Sequence, residues 1–297
     1  MSRAGVVVAS PRRPGPLEER LASWLFAALA PRLSARSPAD PPPPLAPFEP
    51  VEIPRGPGLD PLPGTWYPSV GPARGATLLA PPWSPLGQMF FHRYGRVPAL
   101  REAGFDVLTF EFGGFAARSR RRPGFLDLDA ADALAELRRR AEGRPLTVWG
   151  VSAGGYWLHP VLSSDGGRDV VAAFFEDVSS HFITWSKRMM PKRMPAFLYF
   201  QTVYRSAYRF LDLGAHAAQL ARVPAAYVGG ALDRGVPAAE TRDLARLAGA
   251  RCLIVDDADH LQAIRRDPRG LLDLALETFE VGLQKAPSAG TVGSNEA

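Results

Sequence analysis

The sequence predicts an α/β protein with a doubly wound, mostly parallel sheet and a helical cap insertion. From residue 65 onward, short apolar runs alternate with segments whose apolar residues recur at helical spacing. The apolar runs are nearly continuous, as in parallel strands that are buried on both faces. Of the 297 residues 46% are hydrophobic, which is enough for one large core, and no repeat period is visible.

The first part of this alternation covers residues 75–143. Residues 75–83, GATLLAPPW, begin as a strand and end in prolines, which cannot donate to a sheet. Residues 98–105, PALREAGF, predict a short helix with a glycine stop, and residues 106–112, DVLTFEF, a strand broken by glycines. Residues 128–143 have leucines and alanines at helical spacing and arginines in the last turn, where they complement the helix dipole.

The second part repeats the pattern as far as residue 283. The predicted elements, in order, are strand 146–151, a helix from residue 154, strand 169–177, strand 225–233, helix 237–249, strand 252–260 and helix 268–283. The strands are short runs of Val, Ile, Leu, Ala and aromatic residues, bounded by polar or glycine-containing turns. The last helix opens with Pro268, whose fixed φ suits a first helical turn.

Other segments flank or interrupt this alternation. Residues 1–64 are predicted as an N-terminal arm, with an amphipathic helix at 17–33 followed by a Pro-rich linker. Residues 65–285 form the predicted domain, and residues 286–297 a disordered polar tail. Residues 178–222 are long, aromatic and basic and separate two strands, so we predict an insertion that covers the sheet edge as a cap.

Composition excludes several classes of function. The net charge is +5, but all except three of the 35 basic residues are arginines, and no nucleic-acid motif accompanies them, so we expect no nucleic-acid partner. Cys252 is the single cysteine, which excludes an intramolecular disulfide and a cysteine cluster for zinc. We expect a cytoplasmic protein without a transmembrane segment. H-E-x-x-H, G-x-G-x-x-G and P-loop motifs are absent, so neither a metal nor a cofactor is expected.

The motif that carries chemistry is Gly150-Val151-Ser152-Ala153-Gly154, which matches G-x-S-x-G. A serine on a strained strand-to-helix turn needs small residues two positions before and after it, to avoid clashes. The motif follows the run LTVW and precedes a predicted helix, which is the required context. The helix start also brings free N–H groups towards a developing oxyanion. A tight structural turn is the alternative interpretation.

A serine nucleophile needs a base, and the base needs an orienting acid. Of the five histidines, His260 follows the last predicted strand directly, and Asp233 ends the strand before it. Both therefore emerge at the same sheet edge as Ser152. The other histidines remain open as pocket or packing residues; they are His92, His159, His181 and His216.

In these residues the chain resembles an α/β-hydrolase, and the resemblance covers about Thr65 to Leu283. Members of this fold carry their catalytic residues in the sequence order Ser, Asp, His. The resemblance implies Ser152 as nucleophile, His260 as general base and then acid, and Asp233 as the acid that orients the imidazole. Asp177 is an alternative acid because it ends the preceding strand, where some members of this fold carry theirs. The acids beside His260, which are Asp256, Asp257 and Asp259, are too close in sequence to brace the ring easily.

The resemblance also implies an oxyanion hole made of two backbone N–H groups. One belongs to Ala153, the residue after the nucleophile. The other comes from the loop after the strand that begins at residue 75, where many members have His-Gly but this chain has Pro81-Pro82-Trp83. Proline has no N–H, so Trp83 is the first residue able to donate.

The leading hypothesis is a serine hydrolase that cleaves a small-molecule carboxylic ester or thioester with an apolar acyl group. The expected pocket residues are Tyr156, Trp185, Phe197 and Tyr204. Cationic cap residues, among them Lys187 and Arg188, form either a solvated face or a contact for an acidic part of the substrate. The alternatives are an acyltransferase with the same triad and a catalytically silent binding protein with the same fold. The motifs do not specify an oligomeric state.

Overall fold

A computed structural model describes residues 45–56, 59–84, 86–113, 126–189 and 213–286. Eight strands within these ranges form one sheet. They are β1 Glu49–Ile53, β2 Leu62–Tyr67, β3 Gly75–Ala80, β4 Phe105–Phe110, β5 Leu146–Val151, β6 Val170–Glu176, β7 Ala225–Gly230 and β8 Arg251–Val255. Their order across the sheet is β1-β2-β4-β3-β5-β6-β7-β8.

Strands β3 to β8 run parallel to one another, whereas β2 runs antiparallel to both of its neighbours, β1 and β4. Every residue of β3, β4, β5 and β7 is buried, which explains why these strands are continuous apolar runs. The carboxyl ends of the parallel strands meet at one edge of the sheet. The predicted mostly parallel α/β fold is confirmed.

Helices cover both faces of this sheet. They are α1 Arg96–Glu102, α2 Leu126–Ala141, α3 Ala153–Leu162, α4 Phe182–Met189, α5 Gly214–Gln219, α6 Ala238–Ala248, α7 Ala263–Arg266 and α8 Pro268–Lys285. Buried residues of α2, α3, α5 and α6 form a core cluster with one set of strand side chains. Those of α1, α7 and α8 form a second cluster with another set of strand side chains. The sheet is therefore doubly wound, as predicted.

The sheet begins earlier than the sequence predicted. Part of the expected linker forms β1 and the start of β2, which pair with each other, for example Val51 with Gly64. Val51 and Ile53 point into the core while the other residues of β1 are exposed, so this strand has only two apolar anchors. Pro50 is tolerated because β1 is the outermost strand.

Several predicted segments lie outside the described residues: the amphipathic helix at 17–33, cap residues 190–212 with Phe197 and Tyr204, and tail residues 287–297. At either end of the undescribed part of the cap stand α4 and α5. None of the helices in the described ranges is long and apolar enough to cross a membrane.

Candidate active site

Ser152 occupies a sharp turn between β5 and α3. Its backbone has φ +48° and ψ −115°, a region that residues other than glycine rarely adopt. A hydrogen bond to the end of β6 holds this turn, because the Ser152 N–H donates to the Glu176 carbonyl at 2.7 Å. The serine side chain is thus presented at the carboxyl edge of the sheet.

The glycines of the motif are required by close backbone approaches. A Cβ at Gly150 would lie 2.4 Å from the Gly155 Cα. A Cβ at Gly154 would lie 2.1 Å from the Ala80 carbonyl oxygen, at the end of β3. The first turn of α3 therefore packs directly on the loop that follows β3.

The structure brings Ser152, His260 and Asp233 into one hydrogen-bonded chain. The Ser152 Oγ lies 3.0 Å from His260 Nε2, and His260 Nδ1 lies 2.6 Å from Asp233 Oδ2. The Asp233 side chain is fully buried, and its Oδ1 accepts the N–H groups of Gly235 and Val236, each at 2.8 Å. With Nδ1–H donating to Asp233, Nε2 is free to accept the serine proton.

The electrostatic surroundings favour a protonated His260. Burial by itself lowers the pKa of the imidazole, but the hydrogen bond to Asp233 and the negative charges of Asp177, Asp233 and Asp259 outweigh it. The pKa of His260 is consequently raised above its ordinary value. An imidazolium at this position is therefore stabilised by the site.

Asp177, the alternative acid, has a different partner. Its Oδ2 accepts the Leu261 N–H at 2.7 Å, so this oxygen holds the backbone next to His260 while Asp233 holds the ring. Burial raises the pKa of Asp177 to about 7, against the opposing effect of His260 and with added repulsion from Asp233 and Glu176. Asp256 and Asp257 are exposed, and Asp259 accepts the His260 N–H at 2.7 Å.

The two expected oxyanion donors stand on adjoining segments. Ala153 is the first residue of α3, and the first intrahelical bond runs from the Tyr156 N–H to the Ser152 carbonyl. The Ala153 N–H thus precedes the helical ladder. Trp83 follows the stretch after β3 that lies against Gly154, where an added Cβ would be 2.6 Å from the Pro81 carbonyl oxygen.

Aromatic side chains connect the loop after β3 to the cap. Trp185 stacks on Trp83, with ring centroids 6.4 Å apart, and on Phe182 at 5.8 Å. Tyr156 is buried and contacts Phe182 at 6.0 Å. Phe182, which the sequence did not single out, therefore links two of the four expected pocket residues, Tyr156 and Trp185. Its position at the start of α4 is the signal that could have identified it.

The cationic residues of α4 have different surroundings. Arg188 donates to the Glu240 carboxylate and to the Gly235 carbonyl, whereas Lys187 is exposed. Glu240 also accepts from the Ser179 hydroxyl at 3.0 Å and from the Ser180 N–H at 3.1 Å. Arg188 thus joins the cap helix to α6.

Three of the four other histidines have side-chain hydrogen-bond partners other than Ser152. His159 is fully buried between the Gly155 carbonyl at 2.7 Å and the Tyr227 hydroxyl at 2.8 Å, and burial lowers its pKa to about 3. His216 bonds Ser163, and His92 bonds Tyr67. Within the described ranges, one group has the spacing to hold a metal ion, and it consists of Asp177, Asp233 and His260 themselves.

No protein-family model and no curated protein matches the chain. Among solved structures, it is similar to an esterase of Pyrococcus furiosus (TM-score 0.62, 17% identity, 78% of this chain and 90% of that chain). A thermostable carboxyl esterase from Bacillus coagulans is similar with a TM-score of 0.64 at 11% identity, over 80% of this chain and 99% of that one. A bromoperoxidase from Bacillus anthracis is similar with a TM-score of 0.57 at 16% identity, over 78% of this chain and 99% of that chain.

These solved proteins are all α/β-hydrolases. At such low identity the likeness establishes the architecture, so the chain has the α/β-hydrolase fold. What the protein does is argued from its site.

Proposed function

We propose that the protein is a serine hydrolase that cleaves a carboxylic ester or thioester with an apolar acyl group. The observation that carries this proposal is the chain of contacts from Ser152 Oγ through His260 to Asp233, at 3.0 Å and 2.6 Å. Both distances are within hydrogen-bonding range for a nucleophile, its base and an orienting acid. The fold shared with two esterases supports the same class of reaction.

The proposed reaction has two half-reactions. Ser152 Oγ attacks the acyl carbonyl as its proton moves to His260 Nε2, and the N–H groups of Ala153 and Trp83 stabilise the oxyanion. The imidazolium then protonates the departing alcohol or thiol, which leaves an acyl-serine. Water attacks this ester, gives a proton to His260, and the serine regains that proton as the carboxylic acid departs.

The aromatic contacts favour an apolar acyl group. Trp83 and Trp185 are both partly exposed and stack on each other beside the proposed oxyanion loop. Such a surface gains more from burying hydrocarbon than from contact with a charged group. Phe197 and Tyr204 remain part of this proposed pocket.

The first test compares the wild type with Ser152→Ala on p-nitrophenyl esters of short, medium and long acyl chains. We expect Ser152→Ala to lower kcat/KM by about a thousandfold or more, since the residual rate would come from binding and the oxyanion hole alone. Ser69→Ala is the matched control, because its hydroxyl hydrogen-bonds to the nearby Gly71 carbonyl at 2.8 Å on an exposed loop. Equal rates in the wild type and Ser152→Ala would overturn the proposal.

Fluorophosphonate labelling separates the alternatives. A silent binding protein does not label at Ser152, whereas a hydrolase and an acyltransferase both do. If the protein labels, analysis of products with an added alcohol or thiol then distinguishes water from another acyl acceptor. Labelling that disappears in Ser152→Ala and persists in Ser69→Ala supports the assignment of the nucleophile.

A further inference from the structure

Asp177 lies deep in the site and has no role in the proton transfers proposed above. It follows β6 directly, is 1% exposed and has φ +51°, in the left-handed region. Its N–H donates to the Val228 carbonyl at 2.8 Å, which ties this backbone to β7. A non-glycine residue in such a conformation persists only where its surroundings fix it.

One oxygen of Asp177 anchors the loop that carries His260. Oδ2 accepts the Leu261 N–H at 2.7 Å, and Leu261 also has a positive φ, of +62°. The bond spans 84 residues of sequence and lies one residue beyond His260. The Asp177 carboxyl therefore determines where the backbone of the histidine stands.

The other oxygen distinguishes Asp177 from the carboxyls around it. Glu176 is neutralised by Arg96 through bonds of 2.9 and 2.7 Å, and Asp233 is saturated by its two backbone donors and His260. Asp177 Oδ1 is buried without a hydrogen-bond partner in the part of the protein that the structure describes. One carboxylate oxygen of Asp177, one of Asp233 and a ring nitrogen of His260 nevertheless all lie within 4.8 Å of one another.

We infer that Asp177 is a positioning residue for His260, which anchors the histidine loop through Leu261 and stabilises, by its charge, the imidazolium that forms during acyl transfer. The carboxyl takes no proton from the substrate; the proton passes between Ser152 and His260 as before. The second part of this inference rests on the proposed function. The charged groups facing the imidazole are Asp177, Asp233 and Asp259, with Glu176 masked by Arg96.

Asp177→Asn tests the charge while keeping an oxygen that can accept the Leu261 N–H. Removing a negative charge makes the imidazolium less stable, so the pKa of His260 falls. We expect the acid limb of the kcat/KM profile to move to lower pH by about one unit, and the alkaline plateau to fall about three- to tenfold. An unchanged profile would reduce Asp177 to a structural anchor and overturn the inference.

A readout without substrate keeps this test separate from the proposed function. NMR titration of isotope-labelled histidine measures the fall in the pKa of His260 directly, in the absence of turnover. The His260 signal is assigned by its loss in His260→Gln. In the wild type, we expect the His260 ring and the Asp177 carboxyl carbon to titrate as a coupled pair. A His260 titration curve that shows no effect of the ionisation of Asp177 contradicts the inference. This result comes from the wild type alone, so it can be obtained even if Asp177→Asn does not fold.

The matched control is Asp256→Asn, which removes an exposed charge from the same loop. Water and salt screen that charge, so we expect a much smaller change in the pKa of His260 than Asp177→Asn causes. Shifts of equal size in the two variants would mean a general field effect and would also contradict a specific role for Asp177. Failure of the proposed function itself is recognised separately, by the absence of Ser152 labelling.

Discussion

At the scale of single residues, the site depends on glycines as much as on its reactive side chains. Gly154 has no Cβ, which lets α3 touch the end of β3 beside Ser152, the proposed nucleophile. This contact sets the distance between the two proposed oxyanion donors, Ala153 and Trp83. Substitution at Gly154 therefore tests the geometry of the proposed oxyanion hole without changing Ser152, His260 or Asp233.

We expect Gly154→Ala to lower kcat at least about tenfold, because its methyl would lie 2.1 Å from the Ala80 oxygen and one of the two segments must move. The accompanying loss in the free energy of unfolding should be about 1–3 kcal/mol, as for other overpacked sites. Steady-state kinetics and urea unfolding measure the two effects.

Gly166→Ala is the control for this substitution, since the nearest atom to its added methyl is the Ser164 Oγ at an ordinary 3.5 Å. This variant should keep the wild-type kcat. If Gly154→Ala behaves like Gly166→Ala, the packing of α3 on β3 does not govern catalysis.

At the scale of elements, Glu240 holds the beginning of the cap against α6. Its carboxylate binds Arg188 of α4 and also the Ser179–Ser180 turn that precedes the helix. Trp185 lies on the same short helix and stacks on Trp83. The position of the Trp185 ring against Trp83 is consequently coupled to this ion pair.

Arg188→Met should raise KM for long-chain esters about three- to tenfold and change kcat less, because the helix that carries Trp185 loses its link to α6. The pair is partly exposed, so its contribution to the free energy of unfolding should stay below about 1 kcal/mol. Lys187→Met, which removes a neighbouring exposed cation, serves as control. Equal increases in KM would indicate that charge, and not the position of α4, matters.

At the scale of the whole molecule, buried ionisable groups make stability depend on pH. The pKa of His159 is about 3 in the folded protein because of burial, against 6.5 ordinarily. As the pH falls, the unfolded chain binds this proton first, so folding stability is lost progressively from about pH 6.5 towards 3. Asp177 has the opposite sign, since burial raises its pKa to about 7 and its ionisation costs stability as the pH rises.

His159→Gln, which hydrogen-bonds without titrating, isolates the histidine contribution. Between pH 8 and pH 5, the wild type should lose about 2 kcal/mol more of unfolding free energy than the variant does. Urea unfolding at the two pH values measures this difference, and any constant effect of the substitution cancels. Parallel pH dependences in the two proteins would show that His159 is not held neutral.

The sequence predicted the six parallel strands because each is a nearly continuous apolar run, and it selected Ser152, Asp233 and His260 by their places at strand ends. It did not predict β1, whose two buried residues stand among prolines and glutamates. Nor could it place Leu261 on Asp177 or Arg96 on Glu176, since these bonds join residues 84 and 80 positions apart. Side-chain partners at such separations follow from the register of the sheet, which local patterns do not encode.

The strand that leads to His260 is β8, one of the two edge strands of the sheet and the last along the chain of the eight strands that the structure describes, whereas Ser152 follows the interior strand β5. Serine and histidine are 108 residues apart. On the ribosome, a nascent chain would therefore present the turn of Ser152, the proposed nucleophile, long before His260, the proposed base, and the proposed triad would stay incomplete until β8 docked on β7. In the finished protein, fraying of that one edge strand would disrupt the proposed triad while the rest of the sheet remained folded.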